Sequence, residues 1–335
     1  PRACDVGARV SCRLWRSAMD RHGIDWEGPF TAMITPFARD GAIDEAALRT
    51  HVDFRIAQGV RGLVPNGCTG EFWSQTLEER MRVAQIVLDA ANKRVPVIVG
   101  TGASATRDVI ALTEHCHRIG CDGVMIMAPY MVHPKKEDLY AHFKAVSDRV
   151  PIPIMLYNNP QDVGNDLPFD LVQRLCDLEW VVAIKDSTFD YNVFWKTQCE
   201  LSERIRVFIG PSTMFGAPAV MMGADGWVDT YSNLWPELTT ELYRVARDGD
   251  IKRARSLQKT GSELRSFLLH PEWNMYCAIK AAMNLSGLPG GVPRPPLQPL
   301  SAAHLDRMRQ GLARFPMPVR GPGGASFENQ RRRPT

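Results

Sequence analysis

"EWVVAIKDST", Glu179 to Thr188, sets four apolar residues, Val181 to Ile184, directly before a lysine, with an aspartate, a serine and a threonine directly after it. Apolar residues at every position, rather than at alternate ones, fit a strand covered on both faces. Lys185 then stands at the strand's carboxyl end, where it either reaches solvent or is placed inside a pocket. The same kind of run recurs along the chain: "FTAMITPF" (30–37), "RGLVPN" (61–66), "VPVIVG" (95–100), "DGVMIMA" (122–128), "PIPIMLYN" (151–158), "EWVVAIKD" (179–186), "IRVFIG" (205–210) and "ADGWVDT" (224–230). Stretches of helical period lie between them.

The helical stretches carry start and stop signals. "TLEERMRVAQIVLDAA" opens with Thr76 and Glu79, the spacing at which each side chain bonds the other residue's backbone N–H. Its Met81, Ala84, Val87, Leu88 and Ala91 share one face. "SATRDVIALTEHCHRIG" is expected to start at Ser104 and stop at Gly120, and "DEAALRTHVDFRIAQG" ends at Gly59. Glycine at such an end takes the left-handed conformation that closes a helix. Strands alternating with helices imply parallel pairing through crossovers. Eight units in about 220 residues approach the ~250 of a (β/α)8 barrel. The rival, a doubly wound sheet, announces a glycine-rich dinucleotide turn after its first strand, and "MITPFARDG" stands there instead.

The expected fold is therefore α/β, a (β/α)8 TIM barrel with a C-terminal helical bundle. Residues 28–235 form the barrel and 236–315 the last barrel helix and the bundle, read from "PELTTELYRVARDG", "DIKRARSLQKTGSEL", "EWNMYCAIKAAMNLSG" and "AAHLDRMRQGLARF". "GLPGGVPRPPLQPL" (287–300) is a proline-stiffened connector. Residues 1–27 read as a disordered N-terminal extension, with Met19 as a possible true start, and 316–335 as a flexible tail.

Composition narrows the partners. Of the 335 residues 44% are hydrophobic and 23% charged, an ordinary globular balance. A net charge of +3 argues against a nucleic-acid or membrane partner, since several arginines (Arg2, Arg9, Arg13, Arg16, Arg21 and Arg331 to Arg333) fall in the tails. No apolar run reaches the ~20 residues of a membrane span. The basic N-terminal segment lacks the apolar core of a secretory signal. Eight cysteines (4, 12, 68, 116, 121, 176, 199 and 277) form no CxxC pair and stand near no histidine at ligand spacing. That argues against a metal site and a disulfide framework, and for a reducing, cytoplasmic location.

Chemistry in a barrel gathers at the carboxyl ends of its strands. The second run ends in "NGCTGEF", where two glycines bracket Cys68 and Thr69. The backbone there is either a tight strand-to-helix turn or a cradle for a carboxylate, with the Thr69 hydroxyl as a further donor. The fifth ends in "LYNNP", with Tyr157 at the mouth; the sixth ends at Lys185 and the seventh at Gly210. An anion cradle, a phenol and a lysine would thus face one mouth. A lysine attacks a ketone when its pKa falls from ~10.4 towards ~7–8 through burial. The protonated imine it forms is an electron sink, so bonds beside the former carbonyl break or form without a metal or organic cofactor.

These segments resemble the dihydrodipicolinate synthase / N-acetylneuraminate lyase family of class I (Schiff-base) aldolases. "GCTGE" (67–71) is similar to that family's G-[ST]-T-G-E turn, "YNNP" (157–160) to its Y-N-x-P, and "IKDS" (184–187) to the segment of its imine-forming lysine. "GADGWVDTYSNLWPE" and "NMYCAIKAAM" resemble its later glycine-rich and lysine-bearing segments, so the likeness runs from about Gly28 to Phe315. The resemblance implies that Lys185 forms a Schiff base with a 2-keto acid, most often pyruvate, and that Tyr157 is the acid/base. It places Cys68 and Thr69 at the keto acid's carboxylate and Gly210 in the pocket wall. It also implies a homotetramer, a dimer of dimers, with no cofactor beyond the lysine imine.

Three departures separate the chain from the synthases of that family. Cys68 stands where their proton relay has a hydroxyl residue, and Met131 where it has a second tyrosine, leaving Tyr130 as a possible substitute. Asp162 stands where a synthase carries the arginine that grips its second substrate. The sialic-acid lyases' acidic residues are likewise missing after the seventh strand, where "GPSTMF" offers Ser212 and Thr213. Trp227 and Trp235 either face the pocket or pack beneath the bundle. The expected function is a Schiff-base lyase, aldolase or dehydratase acting on pyruvate or a 2-keto-3-deoxy acid. Dihydrodipicolinate synthase activity, condensing pyruvate with aspartate semialdehyde, is the alternative, and a non-catalytic keto-acid-binding barrel is the alternative of another class.

Overall fold

The structure, a computed structural model, describes residues 20–318 and Arg320. Each apolar run contains a strand: β1 (Gly28–Ala32), β2 (Gly62–Val64), β3 (Ile98–Gly100), β4 (Gly123–Met127), β5 (Ile154–Asn158), β6 (Val181–Asp186), β7 (Arg206–Ile209) and β8 (Gly226–Asp229). All pair in parallel, in the order β2–β1–β8–β7–β6–β5–β4–β3. A parallel bridge from Leu63 to Val97 draws the two edges together. The fold is the (β/α)8 barrel. Its strand residues are buried apart from the half-buried Arg206 at the start of β7, as strands walled on both faces require.

Helices return the chain between strands: α1 (Glu45–Ala57), α2 (Leu77–Ala91), α3 (Thr106–Ile119), α4 (Lys136–Arg149), short α5 (Pro160–Val163) with α6 (Phe169–Leu175), α7 (Tyr191–Leu201), α8 (Ser212–Met221) and α9 (Pro236–Arg247). Three more follow, α10 (Ile251–Leu268), α11 (Met275–Leu285) and α12 (Ala302–Leu312). The Thr76–Glu79 capping box closes as its spacing requires. Ser104 does not cap α3, which begins two residues later; its hydroxyl instead donates to the Tyr130 carbonyl at 2.8 Å, tying the loop after β3 to the loop after β4. Among the described residues no helix is long and apolar enough to cross a membrane.

Two hydrophobic clusters result. One fills the barrel and the layer between strands and helices. The other lies under the last helices and includes Ile34, Leu234, Trp235, Leu264, Trp273 and Met283. Beyond the end of β1 at Ala32, "FTAMITPF" stays apolar because Met33 packs in the barrel cluster and Ile34 in the cluster beneath the bundle. Trp235 belongs to the same cluster. Trp227 is fully buried, edge-on to Tyr243 at 5.4 Å between ring centroids. Neither tryptophan lines the cavity at the strand ends, so the pocket-facing alternative is corrected.

The expected extension ran to residue 27, and residues 1–19 lie outside the described residues, as does Met19. Its last part packs. Trp26 is buried, Arg21 pairs with Asp225 at 2.9 Å, and Arg206 donates to the Arg21 and Ile24 carbonyls. Of the expected tail, Arg320 is buried and forms a two-pronged pair with Glu237 at 2.8 and 2.7 Å. Arg331 to Arg333 lie outside the described residues.

Candidate active site

A cavity of about 370 Å³ opens at the carboxyl ends of the strands, and Lys185, Tyr157, Cys68, Thr69 and Gly210 all line it. A larger groove of about 910 Å³ lies at the opposite end of the barrel, by Asp122 and Val97, and its lysine, Lys93, is exposed. Of the two, the smaller cavity has the buried amine, Lys185.

Lys185 is the fifth residue of β6 and Tyr157 the fourth of β5, and the parallel register sets them side by side. Side chains of a strand alternate between faces, so the register puts both on one face of the sheet, and that face is the one lining the cavity. The Lys185 ammonium lies 4.1 Å from the centroid of the Tyr157 ring. Burial pushes the Lys185 amine down to about 8, against the partial counter-pull of Cys68, Asp229 and Asp162. Asp229, at the end of β8, is buried too, and burial pushes its carboxyl up. Three hydrogen bonds hold it: Ser212 Oγ donates at 2.8 Å, Ser232 Oγ at 2.6 Å and Ser232 N at 2.9 Å.

Asn159 Nδ2 donates to the Tyr157 hydroxyl at 2.8 Å and to Asp162 at 2.8 Å, linking phenol and carboxylate. Burial pushes the Tyr157 phenol well above its ordinary value, so it stays protonated. Burial likewise pushes the Cys68 thiol up to about 11, with Lys185 pulling the other way. Cys68 is thus a neutral thiol at pH 7. It sits in a 3-10 turn, Cys68–Gly70. Among the described residues the backbone amides of Cys68 and Thr69 donate to nothing, while those of Gly70 and Glu71 close the turn onto Gly67 and Cys68. Two free amides and the Thr69 hydroxyl, which lies 2.8 Å from that of Thr230, make a site for an anion.

Gly210 follows β7. A methyl group there would lie 1.8 Å from Ser187 Oγ and 2.9 Å from the Asp186 carbonyl, both on the segment that carries Lys185. Gly210→Ala is therefore expected to displace the end of β6 and, if Lys185 reacts with a keto acid as proposed below, to slow that step by up to about 100-fold. Combining it with Ser187→Gly should restore part of the rate. Stopped-flow imine formation checks this, and a rate within twofold of wild type in the single variant would refute it.

Tyr130 does not line the cavity. Its ring packs against Phe72 at 5.7 Å between centroids, so the possible relay through Tyr130 is not assembled. Met131 is 88% exposed and its φ is +69°, strained for a side chain of that size. Sequence reasoning missed Tyr276 and Arg265, which α11 and α10 bring into the cavity, and also Asp229, buried behind the lining and acting on Lys185 through its charge. Tyr276 is positioned by its helix. Lys280, one turn on along the same face, forms a fully buried ion pair with Glu71, three residues after Cys68. The Tyr276 ring also packs on Trp73 at 5.0 Å between centroids. The one available signal was the spacing of Tyr276 and Lys280 in "NMYCAIKAAM".

The model of the dihydrodipicolinate synthetase family matches residues 25–314. The chain belongs to that family. It is 37% identical over 289 residues to the 4-hydroxy-tetrahydrodipicolinate synthase of Thermomicrobium roseum, covering 86% of this chain and 94% of that one. The crystal structure of dihydrodipicolinate synthase DapA-2 from Bacillus anthracis superimposes with a TM-score of 0.83 at 33% identity, covering 88% and 99% of the two chains. The pyruvate complex of the Acinetobacter baumannii dihydrodipicolinate synthase gives 0.81 at 32% identity, covering 86% and 98%. Members of the family are lyases, and the chain is an enzyme of that class.

Proposed function

We propose that the protein is a class I lyase whose Lys185 forms an imine with pyruvate or a related 2-keto acid. The observation that carries this reading is the buried, down-shifted Lys185 amine against the Tyr157 phenol. With a pKa near 8, about one amine in ten is neutral at pH 7, against about one in three thousand for an ordinary lysine. The neutral amine adds to the keto carbon. The Tyr157 phenol then protonates the departing oxygen, which leaves as water. The free amides of Cys68 and Thr69 hold the substrate carboxylate. Loss of a proton from the carbon beside the imine to the Tyr157 phenolate gives an enamine, which adds to an aldehyde to form a C–C bond or expels a hydroxyl from the next carbon as water. In the cleavage direction the imine of a longer keto acid takes up the electron pair of the breaking C–C bond, and the enamine and an aldehyde result. Three phenols line the cavity, Tyr157, Tyr231 and Tyr276, and in this reading Tyr276 stands in for the relay tyrosine that Met131 replaces. The imine is the electron sink, so the reaction needs no metal or organic cofactor. The tetramer implied by the resemblance is part of this reading.

Borohydride reduction in the presence of pyruvate tests it. A carboxyethyl adduct on the peptide of Lys185 is expected; no adduct with pyruvate or a panel of longer 2-keto acids overturns it. The trapping rate should rise with pH and level off above about 8, because the nucleophile is the neutral amine and deprotonation is complete above its pKa. A rate still climbing beyond pH 10 would mark an ordinary surface lysine.

A second reading, 4-hydroxy-tetrahydrodipicolinate synthase, is favoured by the name of the Thermomicrobium roseum relative. Asp162 and Met131, in place of the arginine and tyrosine of the synthases it resembles, stand against it. Turnover of pyruvate with aspartate semialdehyde decides between the two. A keto-acid binder without turnover would need no nucleophile, and Lys185→Ala would leave its pyruvate affinity unchanged.

A further inference from the structure

Besides Lys185, the cavity has one other cation, Arg265 of α10, and one carboxylate, Asp162. Arg265 is half-buried, and among the described residues its side chain makes no ion pair and no hydrogen bond. Elsewhere on the same helix Arg253 reaches Glu241 at 4.0 Å and Lys259 reaches Glu263 at 3.8 Å. The guanidinium instead lies over the ring of Phe189, 5.4 Å from its centroid. Phe189 also lines the cavity, and its φ of +60° is a left-handed conformation that an aromatic residue rarely adopts. Such strain persists where surrounding structure enforces it, and it collects at ligand clamps. An unpaired guanidinium, braced by a strained aromatic at the rim of a lysine-floored cavity, is built to receive an anion.

The charges say where that anion sits. The keto-acid carboxylate belongs at the Cys68–Thr69 amides, beside Lys185. Asp162 would repel a second anion on the β5 side, and Arg265 would attract it on the α10 side. Ser187, Thr213 and Asn274 also line the cavity and offer hydrogen bonds to hydroxyl groups. A phosphate monoester carries nearly two charges at pH 7, more than one guanidinium matches with a carboxylate in the same cavity. A carboxylate matches its planar fork and its single charge.

From this arrangement we propose that Arg265 binds a second, terminal carboxylate of the substrate, which makes the substrate class a hydroxylated 2-keto acid with an acid group at each end. The proposal rests on the Schiff-base reading above. Its test therefore measures both: borohydride trapping on Lys185 with pyruvate, with 2-oxoadipate, and with 2-oxohexanoate, which has the same chain length and a methyl end. Wild type should half-saturate at a 2-oxoadipate concentration at least about tenfold below that for 2-oxohexanoate. Arg265→Gln should remove that preference and leave pyruvate trapping within twofold; Arg265→Lys should keep part of it. Equal half-saturation by the two long acids in wild type, or a preference that survives Arg265→Gln, overturns the assignment while leaving the imine intact. A stronger response to a phosphate-ended 2-keto acid than to 2-oxoadipate overturns the choice of carboxylate. No adduct even with pyruvate overturns the imine reading and the subsite with it. A thermal unfolding scan of each variant separates lost binding from lost folding.

Discussion

Lys185→Ala should abolish the borohydride adduct and lower any lyase turnover on the order of 10⁴-fold or more, because the nucleophile itself is gone. No other amine takes over. Lys280, the other buried lysine, is paired with Glu71 and donates to the Val292 carbonyl at 2.9 Å. The loss should not come from unfolding. The folded state disfavours a charged amine at this position, since burial holds its pKa near 8 against 10.5. At neutral pH the buried ammonium therefore costs stability, on the order of 3 kcal/mol. A Lys185→Met variant, similar in volume and uncharged, should be at least as stable as wild type at pH 7. The sign of the pH dependence follows. A lysine with a depressed folded pKa destabilises fully below about 8, and that cost is relieved as pH rises from 8 towards 10.5. Wild type should thus gain on Lys185→Met across that window in urea unfolding. An adduct that survives in Lys185→Ala, mapped to another lysine, would reject the assignment.

Glu71→Gln should destabilise the protein by about 3–5 kcal/mol, because it leaves the Lys280 ammonium buried and unpaired. Both partners are almost wholly shielded from water, with 0% and 1% of the side chain exposed. The cost is local in origin but joins distant parts. Glu71 also accepts from the Arg294 amide at 3.0 Å, and Arg294 binds Glu79 at 2.7 and 2.6 Å, so the carboxylate fastens the loop after β2 to α11 and to the proline-rich connector. Lys280→Met should cost a similar amount. The double variant Glu71→Leu with Lys280→Met should recover most of the loss, as a buried pair replaced by apolar residues of similar size often does. Its activity should stay low, because the pair lies one helical turn from Tyr276, which lines the cavity. Urea midpoints with the double-mutant cycle give the coupling. Single variants within 1 kcal/mol of wild type would show that water reaches the pair.

Much of the site was legible because it sits at strand ends. Lys185, Tyr157, Thr69, Cys68 and Gly210 each end or follow an apolar run, and the barrel sends every such end to one mouth. Register then did the rest, matching Tyr157 to Lys185 across β5 and β6. The reading went astray where direction depended on packing above the barrel. Ser104 looks like a cap, yet the neighbouring loop claims its hydroxyl. Tyr130 stands next to the position of a relay tyrosine, yet Phe72 holds its ring outside the cavity. Trp227, inside β8, and Trp235, just before α9, could each have faced the pocket or the core, and both pack into hydrophobic layers.

By itself the sequence determined the alternation of eight strands with helices, the capping box of α2 and the delivery of a lysine to the end of β6, since each follows from spacing along a few neighbouring residues. The tertiary structure alone decided that this lysine is dehydrated, that Asp229 lies buried near it, and that Arg265 and Tyr276 reach the cavity from helices far along the chain. The physical reason is that periodicity marks which face of an element is apolar, whereas desolvation and charge depend on what other segments bring against that face.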